Sequence, residues 1–205
     1  MTHIRHSEKV LIMKRLLLIL ILTLSFQSLT KADDIRDFEI EGISIGDSLL
    51  DYYSKKELNN SIETYKYPGG NDFIYYFLKS KNAIRYDFIQ THVNPKDKNY
   101  VVEAVEGHVF YNKISDCYKE MNIIKQDIED TINIEATNDN GKHPTDKSGK
   151  STYKRFTFFF KNNDYVEIVC YDMSNEFEEM GKKDRLIVSL STKKLYDFLT
   201  YKAYK

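Results

Sequence analysis

Ser115-Asp116-Cys117-Tyr118-Lys119-Glu120-Met121-Asn122-Ile123-Ile124-Lys125-Gln126-Asp127-Ile128-Glu129-Asp130-Thr131-Ile132 carries Cys117, Met121, Ile124, Ile128 and Ile132 at steps of four, three, four and four. That spacing lines them up on one side of a helix and leaves the charged residues between them on the other. It predicts an amphipathic helix over 116–133 with Ser115 as N-cap. Such a helix must lay its stripe on another apolar surface, and the flanking sequence supplies one.

Downstream, Phe156, Phe158 and Phe160 share one face at alternate positions, Val166, Ile168 and Cys170 another, and Leu186, Val188 and Leu190 a third. Each set reads as a strand. Upstream, Phe73 to Leu78 is an apolar run, Ile84, Tyr86 and Phe88 alternate, and Tyr100 to Tyr111 is long enough to need a bend, for which Gly107 is the candidate. The connections Ser80-Lys81-Asn82 and Asn94-Pro95-Lys96-Asp97 are of hairpin length, which predicts an antiparallel meander. Before the Pro68-Gly69-Gly70-Asn71 turn, Asp47 or Ser48 caps a helix read over 48–63, and the capping box Ser54-Lys55-Lys56-Glu57 leaves a break at Ser54 open. Phe38-Glu39-Ile40-Glu41 reads as a short strand, and Ser191 or Thr192 caps a last short helix carrying Leu195, Phe198 and Leu199. The fold class that follows is α+β, an antiparallel sheet with two main helices on one face. Its order of elements resembles a duplicated helix-plus-three-strand unit, although identity between the halves is too low to establish duplication.

The first 32 residues have the layout of a secretory signal: a basic segment ending in Lys14-Arg15, an apolar run from Leu16 to Phe26, and a polar stretch closing on Thr30-Lys31-Ala32. The apolar run is far shorter than the roughly 20 residues of a membrane-spanning helix. Cleavage is expected before Asp33, leaving residues 33–205 as one domain with no membrane span. Met13, directly before Lys14, makes residues 1–12 readable as an over-extended start. No cysteine stands near Ala32 to carry a lipid. The expected location is periplasmic or secreted.

With 30 Lys and Arg against 31 Asp and Glu, the whole chain has a net charge of −1. The signal segment takes away Arg5, Lys9, Lys14, Arg15 and Lys31 but only one acid, Glu8, so the remaining domain is mildly acidic. Its charges are interspersed, which leaves no basic stripe to neutralise phosphates and sets nucleic-acid binding aside. Cys117 and Cys170 are the only two cysteines. In an oxidising compartment an even pair is normally joined, and both are placed on apolar faces that should meet between helix and sheet, so a Cys117–Cys170 disulfide is expected. Two buried free thiols are the alternative.

Two runs, Asp34-Ile35-Arg36-Asp37-Phe38-Glu39-Ile40-Glu41-Gly42-Ile43-Ser44-Ile45-Gly46-Asp47-Ser48-Leu49-Leu50 and Asp146-Lys147-Ser148-Gly149-Lys150-Ser151, resemble a group of small exported proteins of AT-rich marine alphaproteobacteria. Cys117-Tyr118, Cys170-Tyr171-Asp172 and Ala203-Tyr204 fit the same group, so the likeness spans nearly all of residues 33–205. It implies export and carries no activity. A weaker likeness, in element order and the Gly46-Asp47-Ser48 start, is to the small lipoproteins of outer-membrane assembly; without a lipidated cysteine it bears on fold class alone.

Sites of chemistry are sparse. Gly149-Lys150-Ser151 resembles the end of a phosphate-binding loop, but Pro144 stands where that motif needs glycine and a strand follows where it needs a helix. His92, His108 and His143 lie in different elements without the short spacing of a zinc site, so neither metal nor cofactor is expected. No serine sits in a Gly-x-Ser-x-Gly turn. Tyr52, Tyr53, Tyr65, Tyr67, Tyr75 and Tyr76 read first as core and rim packing and second as an aromatic surface for sugar or peptide. Two readings from different classes remain. One is a non-catalytic exported protein binding an envelope protein or small ligand through its sheet face or through the long aperiodic loop 138–151, with His143, Asp146, Ser148 and Lys150 as binding residues. The other is a periplasmic hydrolase using acids on the sheet, drawn from Glu103, Glu106, Asp172 and Asp184, with no catalytic residue singled out.

Overall fold

Alternation of side chains along eight strands builds a single antiparallel sheet in the computed structural model, which describes residues 32, 34–81 and 84–205. The elements run as α1 (Lys55–Asn59), β1 (Glu63–Lys66), β2 (Ile74–Lys79), β3 (Phe88–Val93), β4 (Val102–Phe110), α2 (Ile114–Thr131), β5 (Thr137–Lys142), β6 (Thr152–Phe159), β7 (Tyr165–Asp172), α3 (Asn175–Glu179), β8 (Arg185–Ser191) and α4 (Lys193–Tyr201). The expected α+β class holds. The predicted signal peptide, apart from its last residue Ala32, falls outside the described residues, as does Asp33 at the predicted cleavage site. Among the described residues no helix is long and apolar enough to cross a membrane.

The strand order β1-β2-β3-β4-β8-β7-β6-β5 shows how the sheet is made. Two four-stranded meanders, each preceded by helix, join back to back where β4 pairs antiparallel with β8. The repeated unit therefore has four strands where the sequence pattern suggested three. Each meander gains an edge strand, β1 and β5, whose polar composition hides it.

The helical stripe behaves as its spacing demands. Cys117, Met121, Ile124 and Ile128 are buried on α2, and they pack in one cluster with Ile168, Cys170, Leu186 and Val188 of the central strands. Burying such side chains stabilises the fold by roughly 1.5–3 kcal/mol each. Lys113, not Ser115, is the N-cap, and Asp116 sits in the first turn, where the helix dipole favours an acid. Cys117 and Cys170 are joined as a disulfide, with Cα atoms 6.1 Å apart.

Three sequence expectations change in detail. The helix read over 48–63 is a 3-10 turn at Leu49–Asp51 followed by α1, which Ser54 starts through a complete capping box with Glu57. Leu49, Tyr53 and Leu58 still join the core cluster beneath α2. The strand read at 84–89 runs instead from Phe88 to Val93, with Ile84 exposed and Tyr86 buried. Gly107 is no bend: a Cβ there would lie 2.4 Å from the Tyr86 ring, so glycine makes room for a tyrosine laid across β4. The bulge comes between His92 and Val93, opposite Glu103.

On the opposite face of the sheet α4 covers only one end. Thr192 caps it, and Leu195 and Phe198 pack with Tyr67, Phe73, Ala104 and Ala203 in a second, smaller cluster. The Gly69 N–H donates to the Ala203 carbonyl at 2.9 Å, and a Cβ at Gly69 would collide with the Lys202 carbonyl oxygen. The turn after β1 thus fastens the C-terminus. Among the described residues no other long helix lies on this face.

Candidate functional site

Where one strand face carries Ile89, Val105, Leu186 and Ile168 into the core, the alternate residues of the same strands point to the uncovered side. Register then decides which of them meet. Gln90 pairs with Glu106, Glu106 with Ser189, Ser189 with Glu167 and Glu167 with Thr157, forming one polar row across five strands. Beside it on one side run Tyr75, His92, Ala104, Ser191 and Tyr165, and on the other Phe88, His108, Ile187, Val169 and Arg155.

Glu106 is the centre of the site. His92 Nε2 lies 3.3 Å from its Oε1 and His108 Nε2 3.4 Å from its Oε2, and the Gln90 amide donates to Oε2 at 3.2 Å. Both imidazoles are almost wholly buried and the Glu106 side chain is 20% exposed. Burial alone would raise the carboxyl pKa, but His108 and His92 beside it override that and hold it well below the usual carboxylate range. His92 is fixed from behind, since its Nδ1 pairs with the Tyr67 hydroxyl at 3.2 Å and the Gln90 amide approaches its Nε2 at 2.9 Å. His108 has no such support. It packs edge-on to Phe77, and neither ring nitrogen makes a hydrogen bond.

Two strands away, Glu167 is in the opposite condition. Burial pushes its carboxyl up to about 7, against the pull of Arg155, and the charge of Glu106 adds to the rise. Arg155 donates to it at 3.3 Å and also pairs with Asp139 on the edge strand β5. Arg185 lies over the Tyr171 ring at 5.4 Å, and burial lowers its pKa. The floor between these groups is small: Ala104, Ser189, Ser191 and Thr157 are buried while Tyr75, Tyr165, Tyr171 and Arg155 stand partly exposed around them.

Of the acids considered from sequence, only Glu106 belongs to this row. Glu103 accepts from the Thr192 hydroxyl at 3.0 Å and pairs with Lys194, which ties α4 to β4. Asp184 accepts from the Met173 N–H at 2.8 Å, and Asp172 has its pKa raised by burial and by Asp184. Tyr65, Tyr67 and Tyr75 do come together, with Tyr65 stacked on Tyr75 at 5.2 Å, whereas Tyr53 and Tyr76 belong to the core beneath α2. Two shallow grooves among the described residues, one between Lys125 and Phe156 and one between Lys56 and Leu78, include no residue of the polar row.

The stretch 138–151 is half strand: β5 takes Thr137–Lys142, and the loop proper is 143–151. Its His143 and Asp146 are turned inward, while Ser148 and Lys150 are exposed. Asp146 accepts from the Ser148 N–H and hydroxyl at 2.8 and 2.7 Å and from the Ser151 N–H at 2.8 Å, and Lys150 pairs with Glu176. His143 packs on Tyr171 and Phe177, and burial, with Arg185 and Lys182, lowers its pKa. Tyr171 is thus held between His143 of the loop and Arg185 of the sheet, so the loop borders the polar face without supplying open donors to it.

Among the described residues no group of three or more His, Cys, Asp or Glu side chains could hold a metal ion. No protein family matches the chain, and no curated protein or solved structure is significantly similar to it.

Proposed function

We propose that this chain is a non-catalytic exported protein that takes a small ligand on the polar sheet face around Glu106. One observation supports this above the others: an anionic carboxylate with two buried imidazoles sits at the middle of an eight-stranded sheet, where apolar residues would pack at no electrostatic cost. Convergent polar groups over a floor of small side chains are what an orienting site requires. The disulfide fits an oxidising compartment, and the signal-like N-terminus and the likeness to small exported proteins point the same way.

A hydrolase remains the second reading, favoured by one specific arrangement. Glu106 and Glu167 flank Ser189 on a single row, and their surroundings drive the two acidities apart, as general acid–base pairs require. Both readings meet in one experiment with Glu106→Gln and Glu167→Gln. Amide spectra recorded with acetate, N-acetylglucosamine and spermidine are expected to show shifts at Gln90, His92, His108 and Ser189 that Glu106→Gln weakens, with no turnover of p-nitrophenyl glycosides or esters. Turnover that either substitution cuts by about 100-fold, the scale of acid–base catalysis, would replace binding with hydrolysis. Shifts confined to the groove at Lys125 and Phe156 would remove the sheet face from consideration.

A further inference from the structure

Two groups on the polar face are under-satisfied among the described residues: the Arg185 Nε and both His108 ring nitrogens make no hydrogen bond, although His108 lies 3.4 Å from Glu106. Among the described residues the Arg185 side chain makes neither ion pair nor hydrogen bond; its guanidinium lies over the face of Tyr171, and its Nε is buried and unpaired. His108 is 4% exposed, with both ring nitrogens unbonded. They stand on adjacent strands. Register sets His108 opposite Ile187 and Phe110 opposite Arg185, which makes His108 and Arg185 diagonal neighbours about 7–8 Å apart at Cα, within the span of an arginine. A guanidinium withdrawn from water with no carboxylate in ion-pair contact costs stability, and a buried imidazole whose ring nitrogens make no hydrogen bond adds to that cost. Tyr171 against Arg185 and Phe77 against His108 offset part of this, but Glu106 is already shared among His92, His108 and Gln90 and attracts Arg185 without an ion-pair contact.

What surrounds the pair narrows the ligand. Phe77 packs on His108 and on Phe88, each at 5.2 Å between ring centroids, and Phe88 meets Phe110 at 5.8 Å. All three phenylalanines are only partly buried, so an apolar surface borders the two donors. A cation would be repelled by Arg185. A doubly charged phosphate would meet a single guanidinium with the Glu106 charge nearby, and would make no use of the rings. A carboxylate matches the guanidinium fork with two parallel hydrogen bonds and carries one charge.

We propose that Arg185 and His108 form an anion subsite that holds the carboxylate of a ligand whose apolar body lies on Phe77, Phe88 and Phe110. This rests on the sheet-face reading and goes further by naming the ligand's chemistry. Arg185 takes the carboxylate through its guanidinium fork, and His108 donates a ring N–H to one of its oxygens.

Benzoate and octanoate are the probes, with benzamide, benzylamine and inorganic phosphate as controls, titrated calorimetrically and by amide spectra. Saturable binding of either acid with a Kd below about 1 mM is expected, with shifts at Phe88, His108, Phe110 and Arg185. Arg185→Met should weaken it about tenfold or more, and Arg185→Lys, which keeps the charge but not the planar fork, should fall between. Unliganded Arg185→Met should melt at the wild-type temperature or above it, because it loses an unpaired charge; a residue kept only for packing would show the reverse. The subsite is refuted if neither acid saturates by about 10 mM, if benzamide binds as tightly as benzoate, if phosphate binds more tightly than both acids, or if Arg185→Met and Arg185→Lys leave acid binding unchanged. Shifts at Gln90, His92 and Ser189 with benzamide or benzylamine alone would refute the subsite while leaving the sheet-face reading in place. Responses of every probe confined to the Lys125–Phe156 groove would end both.

Discussion

The two faces of the sheet are made by the same eight strands, yet they are chemically unlike. One side presents Ile89, Val105, Leu186, Val188, Ile168 and Phe158 to α2 and is closed by the Cys117–Cys170 bond. The other presents Gln90, His92, Glu106, His108, Ser189 and Glu167 and has α4 across one end only. Transfer of apolar surface from water is enough to explain the first face. It does not explain the second, where charge is buried and donors stay unpaired. Stability and recognition are thus divided between alternate residues of single strands, and that division can be broken experimentally.

The largest effect belongs to the apolar side. The disulfide links α2 to β7 across a sequence separation of 53, and closing a loop of that size is worth about 4 kcal/mol in the chain-entropy model. The double substitution Cys117→Ser, Cys170→Ser should lower denaturant stability by roughly 2–5 kcal/mol while leaving any affinity of the polar face intact once the protein is folded. Thiol counting on unreduced, denatured protein checks the premise, with zero free thiols expected. If the double variant folds as stably as the parent, the apolar face owes nothing to its covalent link.

On the polar side the expected effect depends on pH. The Glu167 carboxyl is raised from an ordinary 4.5 to about 7 by burial, so the folded chain holds its proton after the unfolded chain has released it. Below about pH 4.5 both states are protonated and the site costs nothing; between 4.5 and 7 stability falls as pH rises; above 7 the cost is complete, up to about 3 kcal/mol. Glu167→Gln should therefore raise the melting temperature at pH 8 and change it little at pH 4. Equal effects at both pH values would show that Glu167 is held by packing and not by its charge. The contrast with the disulfide would sharpen the division: one face loses stability on substitution and the other gains it.

How much of this was legible follows the same line. The apolar face could be read from single strands and one helix, because the stripe Cys117 to Ile132 and the sets ending in Cys170 and Leu190 declare themselves by period alone. The polar face could not. Gln90 and His92, Glu106 and His108, and Ser189 and Ser191 each sit two apart on a strand, which is a local signal, but only register brings Glu106, Glu167 and Arg185 onto one surface, and register is a property of pairs of strands. Edge strands β1 and β5 were hidden for another reason. Asn138-Asp139-Asn140-Gly141 has poor strand propensity, and it is held in place by Arg155 and Tyr153 reaching Asp139 from β6. The helix over 48–63 was overextended because the Ser54 box starts a new helix, which Asn60 ends.

The smallest effect is expected between the two faces, in the loop 143–151. Asp146 there accepts from the N–H groups of Ser148 and Ser151 and from the Ser148 hydroxyl. Its carboxyl is held well below the usual range, by Ser151 foremost and then by Ser148. A group lowered in this way supports the fold above its ordinary pKa and loses that contribution as pH falls through the acid range. Asp146→Ala leaves those N–H groups to water, so the loop should loosen and be cut faster by protease between 143 and 151, while the melting temperature drops only slightly. His143 stays wedged against Tyr171 and Phe177, and the polar face should keep its affinity. A fall in melting temperature as large as that from losing the disulfide would make the loop part of the core. Loss of binding at an unchanged melting temperature would instead return the loop to the functional surface and show that Tyr171, held between His143 and Arg185, passes the position of one to the other.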